Sequence, residues 1–388
     1  MATMSNLSIA PAEAFARLRL CRSDGIGPRA FGRLVLRMGS AAAVLERWHE
    51  LPPVVTSQVR LAKPDAIERE LQETERTGAR LLFLGGPGYP EALASIHDPP
   101  PVLTMLGDPG LLEHPAVAIV GSRHASGNGR TLARSIAHGL ASSLFTVVSG
   151  LARGIDTAGH EGALDQEHRT IAVIATGIDQ VYPEQNAGLS ARIGETGLLL
   201  TERPFGAEPR AQAFPARNRI IAGLSLGVLV VEAALRSGSL VTARLALEQG
   251  REVMAVPGSP LDERHRGTNQ LIKDGAVLVE DAEDVRRVLE PLLLRQAHRP
   301  PRRSPAVEAA RPGAPPVPSA GPDGTAIAEP DGLVARIVGL LGPDPLAVDD
   351  LVRQCQATTA HIHEALLELE LEGRLERHGG NRVSLLFA

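Results

Sequence analysis

The chain has 388 residues, enough for roughly two to four domains and a large buried core. Its 43% apolar and 22% charged content is ordinary for a globular protein, and a formal net charge of −5 excludes a generally basic nucleic-acid coat. Cys21 and Cys355 lack metal-ligand spacing and imply no disulfide framework.

The opening residues lack a basic region followed by an apolar core, and no run of about eighteen apolar residues occurs. The expectation is a cytoplasmic protein with no membrane span. Residues 1–78 read as short helices. Positions 14–21 are apolar on one face, 30–38 follow the turn Gly25-Ile-Gly-Pro28, and 64–78 are charged with apolar spacing. Residues 80–84 look like a strand. The stretch after them, with Asp98-Pro-Pro-Pro101, must be extended because proline disfavours helix there.

From 79 to 294 short apolar runs recur at 117–120, 146–149, 170–175, 198–201, 228–231, 253–256 and 276–279. Helical patterns, such as 131–141, 240–249 and 269–274, separate most of them. Wholly apolar strands alternating with helices predict an α/β fold, with an extended Rossmann-like parallel sheet covered on both faces. Nine prolines between 300 and 330 mark residues 295–330 as a linker, too poor in apolar surface to offset its ordering entropy. Residues 331–388 regain a pattern of three helices and a hairpin around Gly379-Gly-Asn381, the winged-helix arrangement.

Several strand ends carry chemistry. Val117-Ala-Ile-Val-Gly121-Ser122-Arg123 runs from strand into turn, and the helix start near Ser126-Gly-Asn-Gly129 offers N–H groups to an anion. No dinucleotide fingerprint follows: Gly127-Asn-Gly129 precedes Arg-Thr-Leu, the next strand ends in Ser149-Gly150 where a ribose-binding acid would stand, and no Walker lysine occurs. No cofactor is expected. In the second crossing, Ser149-Gly-Leu-Ala-Arg-Gly-Ile-Asp156, the aspartate is expected to cap a helix and His160 to pack against it.

Phe214-Pro-Ala-Arg217-Asn218-Arg219 is expected in a loop entering a helix at 220–224. Arginine forks there can grip phosphates, and a phenylalanine face can stack on an unpaired base for about 1–3 kcal/mol. Arg210 adds charge upstream. The turn Ser237-Gly238-Ser239 supplies hydroxyls and N–H groups at a further helix start. Lys273 sits in a short helix after Gly267-Thr-Asn-Gln-Leu-Ile272, and Glu232 ends a strand.

In order and register these motifs, with Tyr182-Pro-Glu-Gln-Asn186 and Val256-Pro-Gly258, resemble the DNA-processing protein A (DprA/Smf) family. The resemblance covers essentially the whole middle domain. It implies a homodimer through the Rossmann domain that binds and protects single-stranded DNA and loads the RecA recombinase during natural transformation, without catalysis. It places Gly121, Ser122, Arg123, Phe214, Arg217 and Lys273 in the DNA pocket. Many members carry a lysine three positions before the motif phenylalanine; here Ala211 stands there, and Arg210 is expected to substitute.

Residues 1–78 resemble the SAM-like domain of longer members, and Asp24-Gly-Ile-Gly-Pro28 is similar to a helix-hairpin-helix turn. The C-terminal module resembles the winged helix of many relatives. It carries nine acidic residues against five arginines, and Glu364, Glu368, Glu370 and Glu372 lie on the helix that would enter a groove. That sign is wrong for phosphate contact, so the expectation is a module that meets protein. The competing reading is a nucleotide or nucleoside hydrolase similar to the lysine-decarboxylase-like phosphoribohydrolases. Their P-G-G-x-G-T turn is absent, and Glu232 would be the catalytic carboxylate.

Overall fold

A computed structural model describes residues 9–52, 56, 57, 59–165, 169–297, 330–342, 346–355, 357, 362, 365, 366, 369, 370, 375–378 and 382–385. They divide into two units, Met1–Trp48 with Val59–Ser304, and His49–Gln58 with Pro305–Ala388.

The first unit begins with helices α1 (Pro11–Cys21), α2 (Pro28–Met38), α3 (Ala41–Glu46) and α4 (Pro64–Arg76). Proline opens α1, α2 and α4, where its missing N–H costs no helical bond. Ala14, Leu18 and Ile67 from these helices pack against Leu81, Phe83 and Val102. The last three belong to β1 (Arg80–Phe83) and β2 (Val102–Gly107), with helix α5 (Glu91–Ala94) between them.

The α/β layer then alternates as the apolar runs predict. Its elements are β3 (Ala116–Val120), α6 (Gly127–Ser142), β4 (Thr146–Ser149), α7 (Ile155–Leu164), β5 (Thr170–Val173), α8 (Ala187–Thr196), β6 (Leu198–Thr201) and α9 (Ala213–Leu224). It continues through β7 (Gly227–Val230), α10 (Gly238–Glu248), β8 (Glu252–Ala255), α11 (Arg266–Lys273), β9 (Val277–Leu278) and α12 (Ala282–Ala297).

The sheet order is β1-β2-β6-β5-β4-β3-β7-β8-β9. Strands β6 to β9 of that order are mutually parallel, while β2 joins β6 and β1 antiparallel. The chain winds outward from β3 in one direction, then returns to place β7 on its other side. The crevice between the ends of β3 and β7 is therefore the topological switch point, where open α/β sheets receive ligands.

Period-two alternation sends β3 side chains to both faces. Ala118 and Val120 meet Ile220 and Ile221 of α9; Val117 and Ile119 meet Ile136 and Leu140 of α6 and Leu289 of α12. Burial of each such branched side chain stabilises by about 1.5–3 kcal/mol.

One expectation changes. Phe214 to Arg219 lie inside helix α9, which begins at Ala213. Pro215 is its third residue, within the first turn, where no intrahelical N–H bond is lost.

In the second unit, α13 (Pro330–Leu340), β10 (Leu346–Ala347), α14 (Val348–Cys355), β11 (Leu375–His378) and β12 (Arg382–Leu385) surround Ile337, Leu351, Ile362, Leu366 and Leu369. Strands β11 and β12 pair antiparallel, as a wing requires. Of the expected linker 295–330, residues 295–297 end α12 and Pro330 opens α13; residues 298–329, the turn at 379–381, and Glu364, Glu368 and Glu372 lie outside the described residues.

Candidate nucleic-acid interface

The switch point is built on close backbone approach. A Cβ on Gly121 would stand 2.6 Å from Ile155 Cγ1 and 3.0 Å from the Glu232 carbonyl oxygen, so only glycine lets the β3 turn lie against β7 and α7. The Ser122 N–H donates to the Glu232 carbonyl at 2.7 Å. The Ser122 hydroxyl accepts from His124 N–H, which leaves Arg123 projecting to solvent.

Arg123 leans over Phe214, its guanidinium carbon 5.2 Å from the ring centroid, within cation–π range. Tyr182 stands 5.6 Å from the same ring, tilted by 54°. Tyr182 is 42% exposed and precedes a cis proline. These groups, with Gly150, Arg153 and Gln185, line a cleft of about 380 Å³. It offers two aromatic faces and two cations to a strand with bases and phosphates.

Arg153 and Tyr182 line the cleft but are not among the residues the sequence singles out. Both lie within family motifs, Arg153 in the 149–156 turn and Tyr182 in 182–186, and that was the available signal. Of the expected residues, Arg123 and Phe214 line this cleft, and Gly121 and Ser122 form the turn that presents Arg123. Arg210 is exposed just before α9. Gly238 opens α10, where the Ser237 hydroxyl bonds both the Ser239 N–H and its hydroxyl, and Lys273 is exposed in the last turn of α11; none of these lines the cleft.

Two arginines depart from expectation. Arg217 is only 6% exposed; its Nη1 donates to the carbonyls of Gly150, at 2.6 Å, and Val173. Burial pushes its pKa down to about 10, while neighbouring Asp156 pulls it back up. The guanidinium thus remains charged at neutral pH and holds the cleft floor from inside. Its Nε also meets the Asn218 side-chain oxygen at 3.2 Å, which turns that amide toward the framework.

Arg219 faces the opposite side of α9, since two helical positions differ by about 200°. It pairs with Glu202 and, at 3.2 Å, with Asp98. A helix separates what a loop would have kept together.

Asp156 is not the cap of α7; Gly154 holds that position. The carboxylate accepts from the Gly150 N–H at 3.1 Å and the Ala152 N–H at 3.3 Å, so it ties down the loop Arg217 grips from the other side. Burial raises its pKa, and Arg217 opposes that rise. Asn186 completes the frame by donating to the Leu151 carbonyl.

The start of α6, expected to cradle an external anion, already holds an internal one. Glu232 is fully buried and accepts from Ser126 N–H at 2.9 Å and Ser126 Oγ at 2.5 Å. A Cβ on Gly129 would stand 2.4 Å from a Glu232 carboxylate oxygen. A carboxylate that caps a helix inside the fold has no path to a nucleotide, which removes the main support for a hydrolase. Among the described residues no cluster of His, Cys, Asp or Glu is placed to hold a metal, and no helix is long and apolar enough to cross a membrane.

Residues 80–290 match the model of the family described as DNA recombination-mediator protein A. Residues 11–72 match the DprA-like N-terminal HHH domain, and 321–381 the DprA winged helix domain. The chain is 49% identical to DNA processing protein DprA of Streptococcus pneumoniae over 197 residues, 51% of this chain and 70% of that relative. It is 44% identical to Protein Smf of Escherichia coli over 221 residues, 57% of this chain and 59% of that one. The structure of the Streptococcus pneumoniae protein superposes with a TM-score of 0.61 at 34% identity, covering 72% of this chain and 98% of the other. A structure of DNA processing protein A from Helicobacter pylori, described for its single-stranded DNA binding mode, gives 0.50 at 30% identity, covering 56% and 96%.

Proposed function

The chain belongs to the DNA recombination-mediator protein A family, and from that premise we propose that it binds single-stranded DNA in the Arg123–Phe214 cleft. The observation that carries this reading is the aromatic pair Tyr182 and Phe214 with Arg123 beside it, all at a sheet switch point. An unpaired base stacks on an exposed ring, and the adjacent guanidinium takes its phosphate. A duplex keeps its base faces stacked and gains only the phosphate contact. Arg153 adds a second cation, while Gly121, Ser122 and the bonds of Arg217 and Asp156 to the Gly150 loop hold the geometry.

The wider role follows the family: the protein shields incoming single strands in the cytoplasm and loads RecA onto them during natural transformation, without catalysis of its own. Arg210, Gly238, Ser239 and Lys273 extend the phosphate track beyond the cleft. A homodimer forms through the Rossmann sheet. Support for that comes from β9, a strand at the sheet edge with half-exposed Val277 and Leu278. The acidic winged-helix unit serves protein contacts.

Titration of fluorescent oligo-dT and of a duplex of equal length tests the reading. Retention of the single strand with much weaker duplex binding is expected; equal binding of both would overturn it.

A further inference from the structure

The cleft at the switch point holds one side chain that phosphate binding does not use. Glu184 lines it together with Arg123, Arg153, Tyr182, Gln185 and Phe214. It is exposed, and among the described residues no cation pairs with it. A carboxylate repels a phosphodiester, so Glu184 works against the backbone contact that the two arginines favour. Its chemistry suits a different part of a nucleotide.

The position of Glu184 is fixed from both sides. It opens a short 3-10 turn that runs to Asn186, with Pro183 before it. Asn186 is buried and donates to the Leu151 carbonyl at 2.9 Å and to the Thr157 hydroxyl at 3.0 Å. Two residues before Glu184 stands Tyr182, whose ring lies 5.6 Å from that of Phe214. Two residues of chain span at most about 7 Å, so the carboxylate and the aromatic pair are mounted side by side.

A single strand leaves the Watson–Crick edges of its bases free, and proteins read those edges while aromatic rings carry the faces. A carboxylate can only accept. Guanine turns two neighbouring donors toward it, N1–H and the N2 amine. Thymine has one N3–H between two carbonyl oxygens, which a carboxylate repels. Adenine and cytosine each set one amine beside a ring-nitrogen lone pair. Gln185 both donates and accepts, so it does not rank the bases in this way.

We propose that Glu184 reads the edge of the base stacked in this cleft and makes the protein select guanine there. The proposal rests on the single-strand reading above. Glu184 accepts from guanine N1–H and N2–H while the aromatic pair carries the ring face. A thymine in the same place is held by stacking and phosphate contact alone.

Titration of the full-length chain with short probes tests this. One probe is oligo-dT of about six nucleotides; the others carry a single guanine, adenine or inosine at its centre. The parent should bind the guanine probe about tenfold more tightly than oligo-dT, with a much smaller gain for adenine. Inosine, which lacks the N2 amine, should lose most of the guanine gain. Glu184→Gln is a surface change that should hold the unfolding midpoint. It should tighten oligo-dT about twofold, because a like charge leaves the cleft, yet weaken the guanine probe about fivefold.

Equal parent affinity for guanine and thymine probes would overturn the proposal. So would an equal gain from adenine, which purine stacking alone explains. A Glu184→Gln effect of the same size and sign on every probe would also overturn it, since charge or local structure would then account for the residue. In all three cases the single strand still binds, and the cleft reading stands. A parent that binds none of the probes would remove both readings together.

Discussion

Arg123 ends strand β3 and Phe214 opens helix α9, yet the guanidinium of one lies 5.2 Å from the ring centre of the other. Packing of α9 across the sheet brings together a cation and an aromatic face that the sequence holds far apart. Phe214→Ala should weaken oligo-dT binding by about 1–3 kcal/mol, roughly 5–150-fold, with little effect on the duplex. Fluorescence anisotropy reads both. Tyr182→Ala should move affinity in the same direction, since that ring flanks Phe214 at 5.6 Å.

Arg217→Ala should act on stability first. Read from sequence alone, Arg217 is a phosphate ligand whose loss lowers the salt slope by about one ion. In the structure it is an internal strut between the Gly150 and Val173 carbonyls, with the Asp156 charge nearby. Its removal leaves two buried carbonyls without their donor and takes away the charge that opposes the burial of Asp156, a cost of about 1–3 kcal/mol for each unsatisfied group. Chemical denaturation should show that loss. Gly150→Ala should destabilise in the same way, because a Cβ there would stand 2.3 Å from Arg217 Nη1.

His160 makes the fold acid-sensitive. Thr170 Oγ1 donates to the Val147 carbonyl, so the imidazole must donate to that oxygen from Nδ1, which leaves Nε2 buried and unpartnered. Burial, helped by the Arg217 charge, holds its pKa at about 3, against 6.5 ordinarily. Between those values the unfolded chain carries a proton that the folded chain refuses. The His160 contribution is thus complete above about pH 6.5 and is lost as pH falls, by about 1.4 kcal/mol per unit. Urea midpoints across that range should show the slope, and His160→Gln should flatten it.

Glu232→Gln separates a helix cap from a catalyst. Replacing the carboxylate turns an amide donor toward Ser126 and should cost about 1–3 kcal/mol of stability. Oligo-dT affinity should hold. Neither the parent nor the variant should release free base from nucleoside monophosphates. Release by the parent alone would restore the hydrolase.

The strands were legible because β3 to β8 are short, apolar and separated by helices, a pattern local to each segment. Helix α9 was not, because Phe214-Pro215 reads as a loop; a proline in the first turn leaves no mark that distinguishes it from one before a helix. That single misreading placed Arg217 and Arg219 side by side, whereas the helix sends them to opposite faces. The α6 start was legible as an anion site, but the anion proved to be Glu232, brought in from β7 by sheet order. Arg123 and Phe214 stand out in the sequence by residue type alone. Tyr182 became a neighbour of Phe214 only through the tertiary fold.

Arg123 is proposed to hold a phosphate beside a base stacked on Phe214. The most direct test is the salt dependence of oligo-dT binding by the intact chain and by Arg123→Ala, a surface change that should leave stability within about 0.5 kcal/mol. Arg123→Ala should bind more weakly, with a log–log salt slope lower by about 0.7, one single-strand phosphate contact, at an unchanged unfolding midpoint. An Arg123→Ala chain with the parent's affinity and salt slope would contradict it.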